Sequence, residues 1–220
     1  MPQPAAQTTA DFLNVFKELV DAGHDVICIT LSSHLSATCQ SATIAAGELP
    51  PGRVEVIDGL NLSSATGMLV LYAAELAQQG LPLAEIAARV REKIPKLRTY
   101  FVVDTMEYLY KGGRCSGLQS LVAGILKIHP MLALSEGKII VKDKIRGGGK
   151  KIVDRLVDCI AADREQVDQQ FVFVTGAAAE EMVEAILQRV KDLFPAARVF
   201  VAEAGSVISS HCGPGTVGIL

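Results

Sequence analysis

The strongest constraint on the fold is the alternation of apolar, β-branched runs with helical patterns in the first half of the chain. The run "DVICITL" at 25–31 is continuous in apolar residues, as expected of a buried parallel strand. A helical pattern follows it, and "RVEVIDG" at 53–59 and "RTYFVVD" at 98–104 repeat the strand signal after further helices. This order predicts right-handed strand–helix–strand crossovers in a mainly parallel sheet.

Capping residues predict where two of the helices begin. Thr8 or Thr9 can cap a first helix, whose apolar residues repeat at helical spacing until Gly23. Ser63 or Ser64 can cap the long apolar helix "SSATGMLVLYAAELAQQG". An amphipathic helix, "PLAEIAARVREKIPKL", then leads to the third strand run.

The pattern changes near Gly112. "LQSLVAGILKI" predicts a short apolar helix, and "PMLALSEGKIIVKDKIRG" predicts two strands joined by a Glu-Gly turn. A further helix, strand, helix and strand follow. We therefore predict an N-terminal α/β lobe at 1–111 and a smaller α+β lobe at 112–220.

Composition excludes several classes of protein. Half of the 220 residues are apolar and the net charge is -3, with lysines and arginines scattered along the chain, which argues against nucleic acid as a partner. The five cysteines never form a C-x-x-C pair, so neither a zinc site nor a disulfide framework is predicted, and a reducing cytoplasm is the expected location. No apolar run is long enough to span a bilayer, so we expect at most transient membrane contact. We expect no metal and no other cofactor.

A hydroxyl-rich segment, "TLSSHLSATCQSA", follows the first strand. Hydroxyls and free backbone N–H groups where a helix begins suit a carboxylate or a phosphate. The alternative is that one of the serines only caps that helix. Four hydroxyls within seven residues favour a binding site, and its candidate residues are Ser32, Ser33, Ser36 and Thr38.

Two arginines lie beside glycines. Arg114 occurs in "YKGGRCSG" and Arg146 in "DKIRGGGK", where flexible backbone lets a guanidinium approach an anion. The alternatives are a solvated arginine in a turn and a loop between a strand and a helix. No phosphate-loop pattern accompanies either arginine.

The last fifteen residues, "SVISSHCGPGTVGIL", contain a lone histidine, His211. Glycines 213 and 215 around Pro214 predict a tight bend that exposes the preceding side chains. The segment can be a catalytic loop, an anion-binding loop or a strand that ends at a turn. A lone histidine is more often structural, and no acidic partner lies near it in sequence.

Together, four segments in this order resemble the DegV family. They are "ITLSSHLSATCQSA", "VIDG" with "SSATGMLVLYAAELA", "YFVVDTMEYLYKGGR" with "LKIHPMLALSEGKIIVKDKIRGGGK", and "SVISSHCGPGTVGIL". The resemblance covers essentially the whole chain. It implies a two-lobed α/β protein that holds a long-chain fatty acid, with the carboxylate at the interlobe cleft and the acyl chain buried. It also implies a carrier that presents the acid to a fatty-acid kinase subunit for acyl-phosphate formation, rather than an enzyme.

The resemblance also assigns roles to residues. Ser33 is the first candidate for the carboxylate, with Ser32, Ser36, Thr38 and His211 beside it, while Arg114 and Arg146 would meet the kinase or the phosphate. Candidates for the apolar wall are Leu35, the "GMLVLY" segment at 67–72 and the "LVAGIL" segment at 121–126.

The chain departs from the family pattern at several positions. The family's opening strand and T-D-S segment are expected to be missing, and its T-S-Q-P-S loop is matched only by "MPQPA", without the hydroxyls. Ala37 replaces a glycine, Cys39 an aromatic residue and Gly59 a serine. The leading hypothesis is therefore a fatty-acid carrier that lacks one family ligand to the carboxylate.

Two other hypotheses remain. A hydrolase or acyltransferase would pair Ser33 with His211. The acid would be Asp58 or Asp104, the latter from Asp104–Thr105 at the end of the third strand run. The "TLSSHLS" sequence is not the G-x-S-x-G elbow of hydrolases, which weakens this alternative. A degenerate scaffold that binds only a protein partner is the third hypothesis.

Overall fold

A computed structural model of the chain describes residues 4–114, 128–166 and 170–220. The chain forms two compact units, which are treated separately below. The N-terminal unit comprises Ala5–Pro95 and the short turn Glu136–Lys138. The C-terminal unit comprises Lys96–Ser135 and Ile139–Leu220.

The N-terminal unit is a small parallel sheet between two pairs of helices. Its elements are α1 (Thr9–Asp21), β1 (Val26–Thr30), α2 (Thr38–Gly47), β2 (Val54–Asp58), α3 (Ser63–Gln78), α4 (Leu83–Lys93) and a 3-10 turn (Ile94–Lys96). β1 and β2 pair in parallel from Val26 opposite Val54 to Thr30 opposite Asp58, as predicted. On one face Val26 packs with α1 and α2, and on the other Glu55 reaches Arg91 of α4.

One of the two predicted helix caps is confirmed. Thr8 caps α1, because the Asp11 amide donates to Thr8 Oγ1 and the Thr8 amide donates to Asp11 Oδ2. The predicted cap of α3 by Ser63 or Ser64 is wrong. Leu62 precedes α3 without a side-chain bond, and Ser63 has a left-handed φ of 53° instead of the extended backbone that a capping serine adopts.

The C-terminal unit contains a six-stranded sheet in the order β5-β4-β3-β8-β6-β7. Its elements are β3 (Tyr100–Val102), α5 (Glu107–Lys111), β4 (Ile128–Ser135), β5 (Lys138–Arg146), α6 (Gly149–Ala162), β6 (Phe171–Ala177), α7 (Glu180–Leu193), β7 (Arg198–Glu203), α8 (Ser206–Cys212) and β8 (Thr216–Ile219). The Glu-Gly turn between β4 and β5 is confirmed, with positive φ at both Glu136 and Gly137. The apolar helix predicted at 118–128 lies outside the described residues, apart from Ile128 at the start of β4.

The third strand does not join the parallel sheet, so that prediction is wrong. β3 lies between β4 and β8 and is antiparallel to both. Because β3 is buried on both faces, it has the same continuous apolar sequence that a buried parallel strand would have. The two compact units divide between Pro95 and Lys96. The lobe boundary near Gly112 remains a prediction.

Alternate residues of β3 face two different apolar clusters. Tyr100 and Val102 pack with the core formed against α6 and α7. Phe101 packs on the opposite face with Leu109 of α5 and Cys212 of α8. The sheet therefore brings together, on one of its faces, the two helices that carry the "YKGGR" and "SSHCGPG" motifs.

The "SVISSHC" segment forms a short helix, α8, and β8 follows it after the bend. The expectation of a loop or a strand at this position is therefore wrong. Serine side chains bond back to the main chain within this turn: Ser209 Oγ donates to Ala204 O and Ser210 Oγ to Val207 O. The predicted bend is confirmed by positive φ values at Gly213 and Gly215.

Within the part of the chain that the structure describes, no helix has the length and apolar character needed to cross a membrane.

Candidate functional site

The segment Ser32–Thr38, here called the serine loop, connects β1 to α2. Because Thr30 pairs with Asp58, the serine loop and the β2–α3 loop begin at the same edge of the sheet. The Asp58 carboxylate joins the two loops: Ser33 N donates to both of its oxygens at 3.2 Å, and Leu60 N donates to Oδ1 at 3.0 Å. Ser33 and Asp58 therefore meet at this end of the parallel sheet, while Asp104–Thr105 follows β3 in the other sheet.

Ser32 is fully buried and its hydroxyl is already engaged. Its Oγ donates to Gly137 O at 2.7 Å and accepts from His34 N at 3.2 Å. Since a hydroxyl carries a single proton, Ser32 has none left to donate to a carboxylate in this conformation. In this conformation its hydroxyl holds the loop, and its role as a carboxylate ligand remains a prediction.

The other three hydroxyls of the serine loop differ in the hydrogen bonds that they make. Ser36 Oγ lies 2.8 Å from Thr38 Oγ1 and accepts from Thr38 N at 3.3 Å, whereas the N-cap residue of α2 is Ala37. Ser33 is exposed, and its hydroxyl bonds to no other residue that the structure describes. Ser33 is thus the serine of this loop whose hydroxyl remains available to a ligand.

His211 packs directly against the end of α5. A Cβ atom added to Gly112 would lie 2.1 Å from His211 Nδ1 and 2.7 Å from Cε1. On the other side of the bend, Gly213 lies against the Tyr108 ring, where a Cβ would come within 2.4 Å of Cδ2. The "YKGGR" and "HCGPG" motifs therefore meet, and both glycines are needed for the close approach.

The His211 ring is poorly solvated on one side. Nδ1 is buried and has no hydrogen-bond partner among the residues described. Burial, and then the positive charge of Arg114, lower the pKa of His211 below its ordinary value of 6.5. The ring is therefore neutral at pH 7 and can donate one N–H.

The two predicted arginines are both exposed. Arg114 Nη1 donates to Gly112 O at 2.7 Å, which keeps its charge close to the His211 ring. Arg146 ends β5, and the glycines after it lead into α6. The segment is therefore a loop between a strand and a helix, which was one of the alternatives predicted for it. Contact of either arginine with a partner or a phosphate remains a prediction.

The described residues offer little for metal or thiol chemistry. Across 4–114, 128–166 and 170–220, no three His, Cys, Asp or Glu side chains are grouped to hold a metal ion. Burial raises the pKa of Cys28 to about 11, and that of Cys212 to about 12, so both thiols are protonated at neutral pH.

The predicted apolar wall is only partly described. Leu35 is half-buried, and within the "GMLVLY" segment Met68 and Leu69 are buried while Val70 and Leu71 are exposed. The "LVAGIL" segment lies outside the described residues. A role for these residues around an acyl chain remains a prediction.

Two residues near the serine loop were missed by the sequence analysis. Asn61 is buried, and its carbonyl accepts from Ser32 N at 2.7 Å. Gly137 accepts the Ser32 hydroxyl, although the Glu-Gly signal had marked it only as a hairpin turn. No local pattern predicts these contacts, because the partners are far apart in the sequence.

Comparison with known proteins identifies the relatives of the chain. Residues 1–220 match the family model described as "Uncharacterised protein, DegV family". A DegV domain-containing protein of Caldanaerobacter subterraneus is 35% identical over 219 residues, covering 100% of this chain and 78% of that protein. Another, from Streptomyces coelicolor, is 34% identical over 211 residues, with 95% of this chain and 74% of the relative covered.

Solved structures of relatives have the same fold. A DegV family protein from Thermus thermophilus, described by its fatty acid binding, superposes with a TM-score of 0.89 at 33% identity and covers 100% of this chain and 78% of its own. DegV from Bacillus subtilis, described as a fatty acid binding protein, gives a TM-score of 0.83 at 28% identity, with 96% and 75% covered.

Proposed function

Because the chain belongs to the DegV family, we propose that it binds one long-chain fatty acid and acts as a carrier rather than as an enzyme. The observation that carries this proposal is the similarity to the Thermus thermophilus protein, which shares the fold at 33% identity and is described as binding fatty acid. The serine loop of this chain supplies the chemistry that a carboxylate needs.

We assign the carboxylate to the serine loop, with Ser33 as its main side-chain donor. Ser33 is exposed in the loop that leads into α2, and the backbone N–H groups and dipole at the start of that helix favour an anion. Thr38 contributes through its hydroxyl. The Ser36 and Thr38 hydroxyls carry two protons, and the hydrogen bond between them uses one, so the other can be donated to the ligand. Ser32 supports the loop instead of touching the ligand.

His211, in the C-terminal unit, remains a candidate donor to the carboxylate on the resemblance alone, and its ring has the chemistry of a neutral donor. Its lowered pKa leaves the ring uncharged at pH 7, so it offers one N–H without the cost of a buried charge. An ionised carboxylate leaves water only where several donors replace its hydration, and the hydroxyls and amides of the serine loop are donors of that kind.

The acyl chain supplies most of the affinity in this proposal. Each buried methylene contributes about 0.8 kcal/mol, so a sixteen-carbon chain gives on the order of ten kcal/mol before the costs of association. The head-group contacts then decide which lipid is accepted, because an alcohol of the same length lacks the negative charge.

We further propose that the loaded protein presents its carboxylate to a fatty-acid kinase subunit, which forms the acyl phosphate. The exposed guanidinium groups of Arg114 and Arg146 are the candidates for contact with that subunit or with the transferred phosphate. Such a carrier needs no cofactor of its own. The free cysteines Cys28, Cys39, Cys159 and Cys212 agree with a reducing, cytoplasmic location.

No observation favours the hydrolase alternative. In the described structure, the Asp58 oxygens accept from the backbone amides of Ser33 and Leu60, so Asp58 holds the loop. Asp104 lies 3.3 Å from Nδ1 of another histidine, His129. Neither acid is placed as the partner that a catalytic histidine requires.

Titration of delipidated protein with palmitic acid and with 1-hexadecanol tests the proposal. We expect the acid to bind more tightly than the alcohol, and Ser33→Ala to remove that preference while leaving alcohol binding unchanged. Equal affinity for both lipids in the wild-type protein would contradict the assignment of the head group. Adding a fatty-acid kinase and ATP to the loaded protein tests the second step, in which acyl phosphate should form.

A further inference from the structure

The hairpin turn Glu136–Lys138 contacts the serine loop, from which it is remote in sequence. This turn belongs to the N-terminal unit, with the residues it touches. Ser32 Oγ donates to Gly137 O across 105 positions of sequence and accepts from His34 N. The turn carbonyl and the loop amide are thus joined through one buried hydroxyl.

Gly137 leaves no free space at this contact. A Cβ atom at this position would lie 2.6 Å from Ser32 Oγ, 2.9 Å from His34 Cδ2 and 3.0 Å from Leu60 Cδ2. All three distances are shorter than ordinary van der Waals contact, so any side chain would push on the serine loop and on the loop after β2. The φ of +77° adds a second reason for glycine.

The neighbouring hydrogen bonds show what the turn controls. Ser32 N donates to Asn61 O, and the next amide, that of Ser33, donates to the Asp58 carboxylate. The turn acts on the Ser32 side chain and, through Ser32 Oγ, on the His34 amide, so Ser33 lies between two residues that the turn helps to hold.

We propose that the turn Glu136–Lys138 positions the carboxylate-binding serine loop, and that Ser32 and Gly137 are positioning residues for Ser33. The inference rests on the proposed fatty-acid binding for its functional consequence. Its structural part, the order that the turn imposes on the loop, can be measured without any ligand.

The test compares Gly137→Ala with Gly80→Ala in the full-length protein. Gly80 has a similar φ of +81°, but nothing lies within 4 Å of a Cβ built there, so both variants carry the backbone strain and only one pushes on the loop. Ser32→Ala is the second variant, since it removes the hydroxyl without changing the backbone. Two quantities are measured: hydrogen exchange at the Ser33 and His34 amides, and the ratio of palmitic acid affinity to 1-hexadecanol affinity.

We expect Gly137→Ala and Ser32→Ala to speed exchange at both amides and to lower the acid-to-alcohol ratio, by roughly tenfold for the loss of about one charge-assisted hydrogen bond. Gly80→Ala should change neither quantity. Exchange in Gly137→Ala that equals exchange in Gly80→Ala would overturn the inference, whether or not the protein binds lipid.

Faster exchange with an unchanged affinity ratio would also overturn it, because the order of the loop would then have no effect on the ligand. If the wild-type protein binds no fatty acid but exchange responds as expected, the proposed function fails while the positioning of the loop by the turn is supported.

Discussion

Replacing Gly112 with alanine tests the packing of His211 against α5. The added Cβ would lie 2.1 Å from His211 Nδ1 and 3.2 Å from Tyr108 O, so the imidazole must move. Gly112 itself has ordinary helical angles, φ -76° and ψ -8°, so the alanine backbone is unstrained there. Overpacking of this kind costs about 1–3 kcal/mol of folding free energy.

A double-mutant cycle separates this clash from other effects. The free energy of unfolding in urea is measured for Gly112→Ala in the wild-type background and again with His211→Ala. With the ring removed, the penalty should disappear, and a small gain of about 0.4–1 kcal/mol is expected from the stiffer unfolded chain.

Gly113→Ala is the matched control, since it is the next residue and a Cβ there would meet nothing within 4 Å. Its φ of +71° predicts a cost of about 1–2 kcal/mol in both backgrounds, with no coupling to His211. An equal cost of Gly112→Ala with and without the His211 ring would refute the packing described here.

Three more predictions follow from the site. Folding lowers the pKa of His211 below 6.5, so the unfolded chain binds more protons than the folded chain as the pH falls through that value. The free energy of unfolding in urea, measured from about pH 7.5 to about pH 5, should therefore fall more for wild type than for His211→Gln. An equal pH dependence of the two proteins would contradict the burial of the ring. A fluorophosphonate probe should leave Ser33 unlabelled in intact-mass analysis, because in the described structure Asp58 is bonded to backbone amides and Asp104 lies against His129; stoichiometric labelling would instead support the hydrolase. Arg114→Ala should slow acyl-phosphate formation by an added kinase while leaving palmitic acid affinity within about twofold, and a loss of affinity alone would place Arg114 at the ligand.

Local patterns predicted many of the elements but not all of their partners. The capping box at Thr8 and the β-branched runs of β1 and β2 are local signals, and the structure confirms them. The place of β3 was mispredicted because a central antiparallel strand with both faces buried has the same sequence pattern as a parallel one.

The candidate site shows a similar division. The cluster of hydroxyls marked the serine loop correctly as a feature at the end of a strand, and Ser33 and Asp58 do meet there. The sequence could not separate Ser32 from Ser33, because the difference depends on Gly137, far along the chain. Likewise, the sequence "YKGGR" did not indicate that Gly112 packs against the His211 ring.

Native mass spectrometry of the protein purified under mild conditions, followed by lipid extraction, tests the central claim most directly. We predict a species heavier than the polypeptide by one long-chain fatty acid, which the extract then identifies. A protein that carries no fatty acid, and takes none up when delipidated and supplied with palmitic acid, would contradict the proposed function.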